Sequence, residues 1–374
     1  MKLDIHNIDK SLEQTIERIN NLSENNRNII LSFKRQLEKT GLSNTRILFY
    51  LIRLNKICNT IKKGLDKVTK EDIEDFVIRI EKNKEYSEWT KAGYKKTIKK
   101  FFKWYKPDID LDWLKTTPKK SKLKDPVILT KEEILTIFQI ANGLREKALA
   151  SFMYESGCRS PDELLNMVVS DVVFNDVGAK VKLTSGKVGS RNILVISCVP
   201  HLKAWIENEH PNPKPNSYLW TRKGADRVLG YASLLKLVRK WRKKAKITKK
   251  ITPYTFRRTR YTHLANKIPT PALYSYMGQV QGSKVIDRYV KLSGEDTDEA
   301  IMSFYGLANP KNKDIKAKFC SRCGKQNPPE LEYCNICNSP LTEKAKLEVE
   351  EKKRMELKNF VEELIQKRIK ELKK

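Results

Sequence analysis

The segment Thr116–Pro126, TTPKKSKLKDP, places the strongest constraint on how this chain can fold. Its two prolines break hydrogen-bonded ladders, Lys119, Lys120, Lys122 and Lys124 have no apolar periodicity around them, and the stretch reads as a basic linker. Apolar residues on its two sides must therefore be buried in separate cores, which a chain of 374 residues is long enough to build. Before the linker, from about Asn25, the period is helical. Ile29, Ile30, Phe33 and Leu37 make one stripe, and Ile47, Leu48, Leu51, Leu54 and Ile57 make a second after the break at Gly41–Ser43. Thr69 and Asp72 resemble a capping box that opens a third helix through Ile73, Phe76, Val77 and Ile80. A fourth carries Tyr94, Ile98, Phe101, Phe102 and Tyr105. After the linker, Thr130 and Glu133 supply a second capping box, where another domain starts.

Lysines ring the fourth helix, Lys95, Lys96 and Lys99 among them, and run on into the linker. A charged helix face is by default only solvated, but here the run suits phosphate contacts, which give affinity without sequence specificity. The whole chain points the same way. Lys+Arg number 75 against 45 Asp+Glu, a net charge of +30, which implies a polyanionic partner, double-stranded DNA first. No apolar run is long enough to span a bilayer, and the N-terminal MKLDIHNIDKSLEQ lacks a signal peptide's apolar core. The expectation is a soluble, cytoplasmic, DNA-associated protein, with Cys58, Cys158 and Cys198 as core thiols.

The second domain alternates elements. Leu144–Met153 reads as a buried helix ending near Gly157, followed by Arg159 with Asp162 three residues on. Taken alone, that pair is as well explained by structure as by function. Val168–Phe174, Lys180–Thr184 and Asn192–Ile196 read as strands, with Lys187 between two glycines at a hairpin tip. Helices are expected at His201–Glu209 and Tyr231–Lys250. The stretch Ile251–Leu292 then brings Tyr254-x-x-Arg257, Gly278-Gln279 and, ten residues later, Tyr289. Arginine forks grip phosphate oxygens in pairs, and a tyrosine hydroxyl can act as a nucleophile.

In this order and spacing the set resembles the tyrosine recombinase (phage-integrase, site-specific recombinase) family over about Thr130–Tyr305. The helical N-terminal part with its basic linker is similar to the family's core-binding domain. The resemblance implies a mainly α fold with a small antiparallel β-sheet: a core-binding domain over 1–115, the linker over 116–127 and a mixed α+β catalytic domain over 128–310. It implies that Tyr289 attacks the scissile phosphate to give a 3′-phosphotyrosyl link. Arg159 and Arg257 would hold the nonbridging oxygens, an electrostatic contribution of about 3 kcal/mol per donor. Lys187 would protonate the leaving 5′-oxygen, Asp162 would orient Arg159, and Arg191 and Arg258 are further candidate DNA contacts. Catalysis would need no cofactor. Members assemble as tetramers on paired sites, which implies a dimer or monomer off DNA. Two positions depart from the pattern: Tyr254 stands where most members have His, and Gln279 where most have His or Trp. A phenol titrates near 10 and an imidazole near 6.5, so Tyr254 is a poor base at neutral pH, while Gln279 can hydrogen-bond but carries no charge. A type IB topoisomerase and a DNA-binding or assembly factor with weakened catalysis are the competing readings. His263 is expected to be structural or DNA-facing.

Cys320, Cys323, Cys334 and Cys337 form two CxxC knuckles ten residues apart. Four thiolates suit a structural Zn²⁺ with no open position, in a ribbon over 316–341; the alternatives are iron in the same geometry and disulfides, which an intracellular protein disfavours. The tail, 342–374, is a charged amphipathic helix with Leu357, Val361, Leu364, Ile365, Ile369 and Leu372 roughly on one face. It could meet another subunit, pack back on its own domain or stay partly disordered, and the resemblance favours the first.

Overall fold

The computed structural model describes residues 5, 7–118, 126–185, 189–265, 267–282 and 315–372. The expected site residues Lys119, Lys120, Lys122, Lys187 and Tyr289, and the helix expected after Tyr289, lie outside the described residues. The chain divides into two compact units, Met1–Asp125 and Pro126–Lys374. None of the described helices is long and apolar enough to cross a membrane.

The first unit is helical: α1 (Ile8–Asn20), α2 (Glu24–Lys39), α3 (Asn44–Ile61), α4 (Lys70–Lys82) and α5 (Glu88–Tyr105). The apolar stripes of α2 to α5 all face one core. Phe33 is fully buried there, edge-on to Phe101 with centroids 5.1 Å apart. The Thr69–Asp72 capping box opens α4, each side chain accepting from the other's backbone N–H. The sequence reading began at Asn25 and did not anticipate α1, which buries only Thr15 and Ile19.

The lysines of α5 are less free than their spacing suggested. Lys95 Nζ lies 2.5 Å from Glu81 on α4, with its side chain 13% exposed, and Lys99 lies 3.6 Å from Asp112. Lys95 is thus largely neutralised within its own unit. Lys96 has no acidic partner among the described residues.

In the second unit α6 (Lys131–Ile140) starts from the Thr130–Glu133 capping box. Next come α7 (Gly143–Ser156) and the short α8 (Asp162–Leu165). A three-stranded antiparallel sheet follows, β1 (Val172–Phe174), β2 (Ala179–Ser185) and β3 (Gly189–Val195), in the order β1-β2-β3. The strand expected from Val168 begins only at Val172, because the Asp171 carboxylate accepts the Val168 N–H and closes a 3₁₀ turn first. The chain continues through α9 (Val199–Asn208), the hairpin β4 (Thr221–Arg222) and β5 (Ala225–Val228), α10 (Tyr231–Lys244), α11 (Pro253–Leu264) and α12 (Thr270–Met277). Two-residue strands β6 (Lys318–Phe319) and β7 (Gln326–Asn327) pair in the cysteine segment, and α13 (Glu343–Leu372) closes the chain.

Helix α7 is the hub. Every residue from Ala148 to Ser156 is buried, and the helix packs against α9, α11 and β3. A helix buried around its whole circumference is a central one. Its buried acids are satisfied. Glu146 accepts from Trp241 Nε1 at 2.9 Å and from Lys240 at 3.0 Å. Glu155 accepts the backbone N–H groups of Ile196, Ser197 and Cys198, which fixes the corner between β3 and α9.

Candidate active site

Two helix ends make the site. Helix α7 ends at Gly157 and α12 at Gly278, both with the left-handed backbone (φ 53° and 61°) that a glycine adopts without a Cβ penalty. At the second, the Gln279 N–H bonds back to Tyr274 O at 2.9 Å and the Gly278 N–H to Ser275 O at 3.0 Å. The glycines are also packing requirements. A Cβ on Gly157 would come 2.8 Å from Met277 Cε, and one on Gly278 would come 2.8 Å from Arg191 Nη1. Both ends leave carbonyls without helical partners, and such carbonyls carry the negative end of the helix dipole.

The two expected arginines fill those ends. Arg257, on α11 and 1% exposed, donates Nη1–H to Gly157 O at 2.5 Å and Nη2–H to Met277 O at 2.6 Å. Arg159 donates from Nη2 to Gly278 O, the next carbonyl along. Ninety-eight residues apart in sequence, the two guanidinium groups therefore meet on consecutive carbonyls. Burial pulls the Arg257 pKa below the ordinary guanidinium value, yet a guanidinium remains charged in a protein. Its Nε–H is buried with no hydrogen-bond partner among the described residues.

The acid that orients Arg159 corrects the sequence reading. Asp162 is exposed, and it is Glu163, one residue on and 1% exposed, that turns inward. Glu163 accepts the Arg159 backbone N–H at 2.6 Å and Nη1–H at 2.8 Å. It also takes both ends of the Arg191 fork, at 2.5 and 3.0 Å. Burial pushes the Glu163 carboxyl upward, but these partners outweigh it and hold the group below the usual carboxylate range. Arg191 was expected at DNA. Its side chain is only 12% exposed and is spent on Glu163 and, through Nε, on Tyr276 O at 2.9 Å. Three guanidinium groups thus surround one carboxylate, which leaves an excess of two positive charges at this point.

Tyr254 sits in the first turn of α11, 39% exposed, with the Arg258 guanidinium 4.9 Å from its ring centre. That contact occupies Arg258 on one face. The Gln279 side chain meets the hydroxyl of Tyr261. Tyr261 did not enter the sequence reading. It lies one turn after Arg257 on α11, buried, with its ring 5.3 Å from the Arg257 guanidinium. The i to i+4 spacing was the available signal. His263 is structural: its Nδ1 lies 2.9 Å from the Tyr154 hydroxyl. Burial, with the charges of Lys131, Arg260 and Lys267, drives its pKa down to about 4.

The four cysteine sulfurs lie within 4.8 Å of one another. Cys320 and Cys337 sulfurs are 3.4 Å apart and those of Cys323 and Cys334 3.6 Å, near the S–S edge of about 3.8 Å that a tetrahedron of 2.3 Å bonds requires. Backbone N–H groups, that of Cys337 foremost, pull the Cys334 thiol down to about 6, and Asn327 Nδ2 approaches its sulfur at 3.5 Å. Four close thiols of this kind can hold a metal ion. The segment is seated on the corner between β3 and α9. Ser197 Oγ donates to Ile315 O at 2.9 Å, and the buried Glu330 carboxylate lies 2.8 Å from His201 Nε2.

Residues 128–295 match the phage integrase family, a span that contains Arg159, Lys187, Tyr254, Arg257, Gln279 and Tyr289 but not Cys320, Cys323, Cys334 and Cys337. The chain is similar to tyrosine recombinase XerA of Pyrococcus horikoshii, 29% identical over 245 residues that make up 65% of this chain and 81% of that protein. It is also similar to a tyrosine recombinase of Thermosipho africanus, 23% identical over 228 residues, 57% of this chain and 77% of the relative. Among solved structures, XerH site-specific recombinase in a post-cleavage complex with palindromic difH substrate has a TM-score of 0.56 at 16% identity, covering 82% of this chain and 98% of that one. A lambda integrase dimer bound to a COC′ core site also gives 0.56 at 16% identity, covering 72% and 96%. At such identities the structural likeness concerns the fold, which is that of tyrosine recombinases. The family match and the curated relatives support the same family for this chain.

Proposed function

We propose that the chain is a site-specific DNA recombinase that cuts and rejoins strands through a 3′-phosphotyrosyl intermediate. The carrying observation is the pair of guanidinium groups, that of Arg257 buried and that of Arg159 partly exposed, converging on the carbonyls of Met277 and Gly278 with an excess of positive charge. A site built this way lacks an anion, and a DNA phosphate fits it. Tyr289, eleven residues after Gly278 in sequence, is the proposed nucleophile. Its hydroxyl oxygen forms a bond to phosphorus as the bond to the 5′-oxygen breaks, and the phenolic proton passes to solvent water. Lys187 gives its proton to that leaving oxygen. Arg159 and Arg257 neutralise the charge that builds on the pentacoordinate phosphorus, so strand cleavage needs no divalent ion, a part metals play in other phosphoryl transfers. Glu163, in place of Asp162, keeps Arg159 aimed. Tyr254 and Gln279 take neutral hydrogen-bonding roles at the phosphate.

The helical first unit, with Lys96, Lys99 and the linker lysines, is the proposed DNA clamp, and the active assembly is a tetramer on paired sites. The cysteine segment would hold one structural Zn²⁺ on Cys320, Cys323, Cys334 and Cys337. That ion stabilises the ribbon and takes no part in strand cleavage. The test is a nicked suicide DNA duplex in buffer without divalent salt. Wild type traps a covalent protein–DNA adduct and Tyr289→Phe does not; an adduct that persists in Tyr289→Phe overturns the reading. Two defined sites give recombinant product, whereas relaxation of any supercoiled plasmid without defined sites would mark a topoisomerase.

A further inference from the structure

We infer that Arg191 is a positioning residue for strand cleavage, acting on Arg159 through Glu163 and the turn at Gly278. The inference rests on the function proposed above. Arg159 has two side-chain anchors, Glu163 and Gly278 O, and Arg191 touches both. Its fork is bidentate on the Glu163 carboxylate, and its Nε–H holds Tyr276 O, two residues before Gly278. The bare Cα of Gly278 admits it so closely that a Cβ there would sit 2.8 Å from Nη1 and 2.9 Å from Cδ. With 12% of its side chain exposed against 22% for Arg159, Arg191 lies beneath the phosphate-facing arginine. Arg191 belongs to β3, paired opposite Leu183 of β2. It therefore ties to the arginine pair the very strand that follows Lys187 in sequence. A guanidinium fork on a fully buried carboxylate is a rigid tie, and misplacing a reacting partner by about 1 Å can cost about 100-fold in rate.

Glu163 is faced by Arg159 from the loop before α8, by Arg191 from β3, by Arg257 from α11 and by the Cys158 thiol. Taking away Arg191 removes the largest of the influences that oppose burial. The Glu163 pKa then rises, because burial is left with less to oppose it. Once protonated, the carboxyl releases Arg159, so cleavage fails at a higher pH than in wild type.

The experiment compares Arg191→Met, Arg191→Lys, Glu163→Gln and the double variant Glu163→Gln/Arg191→Met in single-turnover cleavage across pH, with DNA affinity measured at two salt concentrations. Expected are a cleavage rate about 100-fold lower for Arg191→Met at saturating DNA, unchanged affinity and salt dependence, and an acid limb moved upward. Arg191→Lys, which keeps the charge without the fork, recovers part of the rate, and the double variant falls no further than Glu163→Gln. Wild-type rates and pH profile in Arg191→Met overturn the inference. So does a loss that appears wholly as weaker, less salt-dependent binding, the mark of a phosphate contact. Should wild type itself form no adduct, the proposed function fails, and Arg191 is judged by hydrogen exchange instead. The Arg159 backbone N–H, held by Glu163, loses protection in Arg191→Met, and unchanged protection refutes the tie.

Discussion

Gly278→Ala perturbs the point where fold and site coincide. At φ 61° a residue bearing a Cβ costs about 1–2 kcal/mol relative to glycine. The new methyl also meets Arg191 Nη1 at 2.8 Å. Arg191 cannot swing away freely, because three of its nitrogens are engaged with Glu163 and Tyr276. Overpacking of this kind adds about 1–3 kcal/mol. Together the loss is about 2–5 kcal/mol, which lowers the melting temperature of the second unit by roughly 4–20 °C at 2–4 °C per kcal/mol. The assay is calorimetry beside the suicide-substrate reaction. Gly278→Asn is the informative companion, since Asn tolerates the left-handed backbone but still brings a Cβ. If the clash dominates, it behaves like Gly278→Ala; if strain dominates, it recovers much of the loss. A Gly278→Ala protein that melts within about 2 °C of wild type and cleaves at the wild-type rate refutes this account of the turn.

Phe33→Ala should destabilise the first unit by about 3–5 kcal/mol, seen as an earlier transition for that unit in a denaturant melt, with the second unit's transition unmoved. His263, with a folded pKa of about 4 against an ordinary value of 6.5, stabilises the fold in its neutral form. That contribution is complete above 6.5 and is lost as pH falls toward 4, amounting to a few kcal/mol at most, on the order of ~3. His263→Gln should flatten the acid side of a stability–pH curve while leaving cleavage between pH 7 and 8 intact. Elemental analysis should find one zinc per chain. Cys320→Ser or a strong chelator should remove it and raise hydrogen exchange at Ser197–His201, where Ile315 and Glu330 dock; unchanged exchange there would separate the docking from the metal.

What the sequence made legible were features carried by short-range chemistry. The apolar stripes of α2 to α5 and the two capping boxes depend on neighbours three or four residues away, and all were found in place. The cysteine knuckles are equally local. Helix α1 was missed because it offers little to bury. The Arg159 partner was misassigned because two acids stand side by side, and the entry into a four-residue helix decides which one turns inward. Arg191 and Lys95 were read as outward-facing, the default for a cation. Their partners, Glu163 and Glu81, lie 28 and 14 residues away, and nothing in local spacing reveals a pair of that kind. The convergence of Arg159 and Arg257 on one turn is longer-range still. It emerges only when α7 and α12 end at glycines that face each other's neighbours.

The central claim is that Tyr289 becomes bonded to DNA at a pocket formed by Arg159 and Arg257. Digesting the trapped adduct with protease and nuclease and sequencing the nucleotide-bearing peptide by mass spectrometry tests this most directly. The account predicts a single 3′-phosphate linkage, on Tyr289, that vanishes in Arg257→Ala. A linkage on Tyr254 or any other side chain, or one that survives Arg257→Ala undiminished, would contradict it.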